Sequence, residues 1–84
     1  MKKNILVVAK YNKVEALRVA AGLTLVNDTV KVAVLGGLDD SSPVREQLEA
    51  LDFAEVPHEV FEDPTQVTES LARDILGADV VYVI

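Results

Sequence analysis

Cysteine is absent from this 84-residue chain, which excludes disulfides, thiolate metal sites and any thiol nucleophile or sulfur-carrying group. Histidine occurs once, at His58, so no Ser-His-acid or His-metal constellation can be built around it. The expectation for His58 is an exposed place on an edge strand. The four glycines form neither the G-x-G-x-x-G fingerprint nor a Walker loop. No apolar run approaches the roughly 18–20 residues of a membrane span. Lys2 and Lys3 before "NILVVA" have the look of a secretory leader, but the run is short and no small-residue cleavage site follows. It reads as a first strand, and the protein as cytoplasmic. Basic charge is also scarce. The net charge of −6 leaves no general affinity for nucleic acid, which requires a basic face to neutralise phosphates.

The charge is unevenly spread. Residues 1–38 hold six Lys/Arg against two acids, a net of +4, and residues 39–84 hold two Arg against twelve acids, a net of −10. Such polarity suits association with a charged partner or with further copies of the chain, and it also suits ordinary solvated helix faces.

Half of the residues are apolar, enough for one small domain to build a core unaided. Ile5–Ala9 is continuously apolar, as in a strand buried on both faces of a parallel sheet. Asn12 has the character of an N-cap, with Glu15 completing a capping box. Val14, Leu17, Ala21 and Leu25 then repeat at helical spacing, while Ala16, Ala20 and Gly22 are small enough for close approach to a sheet. Asn27-Asp28 ends that helix. A second strand, Val30–Leu35, stops at Gly36-Gly37. In the second helix Ser42 is the expected cap, Pro43 takes the first helical position, and Val44, Leu48 and Leu51 form the buried stripe. "EVPHEVFED" alternates and contains Pro57, which fits an edge strand. Asp63-Pro64, with a capping box to Gln66, opens a third helix carrying Val67, Leu71 and Ile75, and Gly77 stops it at C′. "VVYVI" is the last strand.

The alternation β-α-β-α-β-α-β predicts an α/β fold, a three-layer α/β/α sandwich with a four-stranded parallel sheet. Right-handed crossovers and an edge position for strand three favour the order 3-2-1-4, with 2-1-3-4 second. The preferred order sets strands one and four together at the topological switch point, where open α/β sheets bind ligands. The turn Lys10-Tyr11-Asn12-Lys13 lies there. Helix N–H groups, the dipole and two lysines make it a candidate site for a small anion or nucleotide, although the glycines that admit a pyrophosphate are missing. Ile84 at the end of strand four offers those lysines a different neighbour, the chain's own carboxylate. Tyr11 and Tyr82 are placed to flank the same point. "GGLDDSS" (residues 36–42) has the groups to hold magnesium or a small ligand, and equally those of loop and cap chemistry. No catalytic residue, metal site or cofactor is assigned.

"NILVVAKYNKVEALRVAAGLTLVNDTVKVAVLGG" and "SLARDILGADVVYVI" together resemble the DsrE/DsrF-like sulfur-relay family. Its members have an apolar first strand, an "EALR-x-A-x-GLTL"-like helix, a second strand ending in Gly and an "L-x-x-AD" helix end before the last strand. The resemblance implies a three-layer fold, homo- or hetero-oligomers and, in active members, a persulfide on cysteine. This cysteine-free chain, with four expected strands where the family has five, has no residue to carry the persulfide. A weaker likeness, through "ILVVA" and "VLGG", is to the amino-terminal part of electron-transfer flavoprotein α subunits, a part that does not hold the flavin. The expected role is therefore non-catalytic association with like or related subunits, and the alternative is anion or nucleotide binding at residues 10–13.

Overall fold

A computed structural model describes residues 3–26, 29–38, 41–61 and 67–84. Its strands are β1 (Asn4–Ala9), β2 (Thr29–Leu35), β3 (His58–Phe61) and β4 (Val80–Val83). The α-helices among the described residues are α1 (Lys13–Leu23), α2 (Ser42–Phe53) and α3 (Val67–Gly77), and a 3-10 turn (Thr24–Val26) follows α1. All strand pairs are parallel and the order is β3-β2-β1-β4, the preferred of the two expected.

Chain handedness explains the layers. The first two crossovers step in one direction, from β1 to β2 to β3, so right-handed connections put α1 and α2 on one face. The third crossover returns past β1 to β4 and puts α3 on the other. Alternation along the strands supplies both cores. Ile5, Val7 and Ala9 of β1 and Val30, Val32 and Val34 of β2 meet Ala16, Leu17 and Ala20 of α1 and Val44 and Leu51 of α2. Leu6, Val8, Ala33 and Phe61 face α3, where Leu71 and Ala78 pack on them. Among the described residues, twelve are buried in the first cluster and four in the second.

Several local expectations need correction. Leu25 is 87% exposed, because the α-helix gives way to the 3-10 turn at Thr24 and rotates Leu25 out of the stripe. Thr24 Oγ1 donates to the Ala21 carbonyl at 2.7 Å in that turn. Ala16 and Ala20 do lie against the sheet, but Gly22 is on the exposed side, with open space where a Cβ would stand. The cap of α2 is Ser41, one residue early, and its side chain makes no capping bond. Pro43 is then the second helical residue, still among the positions whose N–H has no intrahelical acceptor. Ile75 is 44% exposed. Gly77 is the last residue of α3 and not a left-handed C′ residue. The chain needs no such reversal, because Ala78 N–H donates back to Ile75 and Asp79 N–H reaches Asn4 O at 2.7 Å, leading straight into β4. The expectations for Asn27-Asp28, Asp39-Asp40 and Asp63 to Gln66 lie outside the described residues.

The left-handed termination occurs instead at α2. Glu55, with φ of 58°, follows the cap residue Ala54. Glu55 N–H donates to Asp52 O at 3.1 Å and Val56 N–H to Leu51 O at 2.9 Å, the paired bonds of a Schellman motif. Val56 and Leu51 are both buried in the larger cluster and supply its usual apolar contact. A side chain is strained in this conformation by roughly 1–2 kcal/mol. Glu55→Gly is therefore expected to raise the unfolding free energy by about 1 kcal/mol, the relief of strain being partly offset by a more flexible unfolded chain. Urea denaturation measures it; an unchanged or lower midpoint would show that Glu55 carries compensating contacts.

Candidate functional site

The turn between β1 and α1 lies at the carboxyl ends of the strands, between β1 and its neighbours β2 and β4. Asn12 is extended (φ −123°, ψ 90°), and its Oδ1 accepts from Glu15 N–H at 3.2 Å, so it caps α1 as expected. The capping box is not completed. Glu15 turns its carboxylate to Arg18, which donates from Nε at 3.1 Å and also from Nη2. Asn12's own N–H is already engaged, donating to the backbone oxygen of Ile84 at 3.1 Å. The hydrogen bond from Arg18 holds the Glu15 carboxyl below its usual pKa. What stability Glu15 adds is thus present at neutral pH and fades as pH falls through that lowered value. Replacing the cap, Asn12→Ala, is expected to cost about 1 kcal/mol in urea unfolding. A loss of only a few tenths would mean that Ile84 alone organises the turn.

Ile84, expected beside this turn, is its centre, but through the backbone amides. Its oxygen accepts from three successive amides, Lys10 at 3.2 Å, Tyr11 at 2.8 Å and Asn12 at 3.1 Å. Such a concave run of N–H groups at a helix start is a ready anion cradle. In this fold the chain's own backbone oxygen occupies it. The lysine side chains, expected beside Ile84, are directed elsewhere. Lys10 Nζ stands over the Tyr11 ring, 5.1 Å from its centroid. Lys13 Nζ approaches Lys10 O at 3.5 Å and lies beside Gly36, whose φ of +88° turns the chain after β2. The physical reason is the ladder: Ile84 N–H donates to Val8 O at 2.9 Å, so β4 continues its pairing with β1 and aims the next oxygen at the turn. Beside it a shallow hollow of about 300 Å³ is lined by Tyr11, Asn12, Lys13, Gly37, Leu38 and others. The sequence-level candidates Lys10, Tyr11, Asn12 and Lys13 are thus together in space, with three of their four amides engaged.

The other candidates are more dispersed. His58 is exposed on edge strand β3. Among the described residues no group of three His, Asp or Glu side chains is arranged to hold a metal ion. No helix among them is long and apolar enough to cross a membrane. Tyr11 is 77% exposed and Tyr82 44%.

One feature was not anticipated from the sequence. Lys31 and Asp74 form an ion pair at 2.9 Å between β2 and α3. The other oxygen of Asp74, Oδ2, is buried and meets no hydrogen-bond partner. This pair borders a cavity of about 250 Å³ at the amino ends of the strands, walled by Ile5, Leu6, Val30, Pro57 and Ala78. Lys31 is the only charge in "TVKVAVL", a signal that it needs a partner on the helix above.

The free edge, by contrast, follows from the preferred strand order, which sets the apolar last strand at the end of the sheet. Among the described residues β4 pairs only with β1, and Val81, Tyr82 and Val83 are 37%, 44% and 56% exposed. By register Val81 and Val83 stand beside Leu6 and Val8 on the α3 face, while Tyr82 stands beside Val7 on the α1 face. Comparisons with protein-family models, curated proteins and solved structures find no match to the chain.

Proposed function

We propose that this protein acts without catalysis, as a DsrE/DsrF-like subunit that associates with like or related subunits through the β4 edge, in a sulfur-metabolism setting. One observation carries the reading. Among the described residues nothing pairs with the outer edge of β4, which carries three exposed apolar or aromatic residues in succession and no charge from Val80 to Val83. Edge strands of stable monomers are blunted by lysine, proline, bulges or a covering element. The other edge has such protection, since β3 carries Glu59 and follows Pro57. The absence of cysteine agrees with a supporting place beside sulfur-carrying subunits, because this chain has no sulfur to transfer.

Anion or nucleotide binding at residues 10–13 is the second reading, favoured by the hollow and by Lys13 at its rim. It ranks lower because Ile84 already takes three amides there. Light scattering on the purified protein at micromolar concentration tests the first reading, with a mass above that of the monomer expected; a monomer in the presence and absence of related subunits overturns it. Amide shifts of residues 10–15 during a phosphate titration test the second, and shifts unmoved at millimolar phosphate would end it.

A further inference from the structure

The geometry points to a specific partner and register for this edge: a second copy of the chain, joined antiparallel β4 to β4, with Tyr82 on the two-fold axis. The inference rests on the association proposed above and adds the occupant and the alignment.

The backbone shows which groups are on offer. Ile84 N–H donates to Val8 O, and Ile84 O accepts from Lys10 N–H, so Ile84 turns its backbone toward β1. Backbone direction alternates along a strand, so Tyr82 and Val80 also face β1, and Val81 and Val83 present their N–H and C=O groups outward. A two-fold axis normal to the sheet reverses strand direction and keeps each protomer's α3 on the same side. Opposed residues must then share a face, so only registers that pair odd with odd and even with even are allowed.

Among these, the axis through Tyr82 sets Val81 opposite the partner's Val83 and Val80 opposite the partner's Ile84. Every opposed pair is apolar or aromatic. Val81 and the partner's Val83 exchange N–H···O=C bonds, using the outward groups. Moving the axis to Val81 would set Asp79 against the partner's Val83, and moving it to Val83 would leave Val80 and Val81 opposite no residue of the partner's β4.

Charge supports the same alignment. Asp79 is exposed at the amino end of β4, with Oδ2 accepting from Asn4 N–H at 2.8 Å. Lys10 is exposed at the carboxyl end, where its amide meets Ile84. Antiparallel pairing brings each Asp79 beside the partner's Lys10, opposite charges at both ends of the seam. The β3 edge has no such self-complementarity, because pairing it with itself brings Glu59 against its own copy or against Phe61.

The absence of cysteine makes the test clean. In this register the two Tyr82 residues form a non-hydrogen-bonded pair with Cα atoms about 4.5 Å apart. That lies at the short end of the roughly 4.4–6.8 Å range a disulfide accepts. Tyr82→Cys, oxidised with diamide at micromolar protein, is expected to become mostly covalent dimer on a non-reducing gel. Val83→Cys, displaced from its own copy, and Val60→Cys on β3 are expected to link at least tenfold less. Wild-type light scattering separates the outcomes. An oligomer in which Tyr82→Cys fails to link, or in which Val83→Cys or Val60→Cys links as well, overturns this register while leaving association standing. A monomer overturns both. Circular dichroism of each cysteine variant, matched to wild type, ensures that a failure to link is read on folded protein.

Discussion

Leu17→Ala is expected to remove about 3 kcal/mol from the unfolding free energy, within the usual 2–5 kcal/mol for such a truncation in a core. Leu17 is fully buried, in the middle of α1, within the cluster that joins β1, β2, α1 and α2. Two strands of the sheet form one wall of its site, and a paired sheet cannot move inward to fill the space a lost side chain leaves. The flanking Ala16 and Ala20 are themselves fully buried, so α1 already lies as near the sheet as its backbone permits. The cavity therefore persists and its cost adds to the lost transfer energy. For a domain of this size the whole stability is on the order of 4–12 kcal/mol. One truncation thus takes a large share of it. Leu25→Ala is the control, two turns further on the same expected stripe but 87% exposed, and it should change stability by less than about 0.5 kcal/mol. Urea denaturation of both decides the matter. Equal effects would mean that the helix continues past Thr24 and that Leu25 packs.

The contrast between these two leucines shows how far the sequence is legible. Period-3.6 spacing placed both in one stripe, and the stripe holds as far as Ala21. It cannot register that the helix changes to a 3-10 turn, because that change depends on where the chain must descend into β2. The continuous apolar runs of β1 and β2 did specify central strands, and Pro57 with the alternation around it specified an edge. Together with right-handed crossovers these favoured the observed strand order over 2-1-3-4. The α2 stripe of Val44, Leu48 and Leu51 was legible for the same reason.

What escaped was long-range and polar. Glu15 fits a capping box by spacing, yet Arg18 is equally close on the helix surface and wins its carboxylate. The Asn12 amide that the box should have satisfied is taken by Ile84, from the other end of the chain. Lys31 and Asp74 meet across 43 positions of sequence. The switch-point turn and Ile84 beside it were therefore located from topology, while the groups Ile84 meets there were not: three backbone amides take its oxygen in place of the lysine side chains. The consequence for function is direct. A turn whose amides are engaged internally offers less to a ligand, and attention passes to the strand that supplies the oxygen. β4 fills the cradle with its last residue and offers its unpaired edge outward.

That edge gives the largest expected effect on assembly. Val83→Lys should convert the associated form to monomer at micromolar concentration while leaving the fold unchanged. Val83 is 56% exposed in the single chain, so a lysine there can extend into solvent at little cost to folding. In the paired form the same position faces the partner's Val81 in the interior of the seam. Fully burying a valine is worth about 1.5–3 kcal/mol; a little over half of Val83 is left to bury and symmetry counts it twice per dimer, so the loss is about 2–3 kcal/mol. That is roughly thirty- to a hundredfold in the dissociation constant, before the cost of desolvating two ammonium groups is counted. Lysine on an edge strand is also the device by which proteins prevent such pairing. Val60→Lys on β3 adds the same charge to the opposite edge, where Val60 is 38% exposed, and should leave the mass unchanged. Light scattering across a concentration series reads both variants. If Val83→Lys retains the wild-type mass, β4 is not the associating edge; if Val60→Lys dissociates as readily, the two edges act alike and the unprotected character of β4 does not choose the partner.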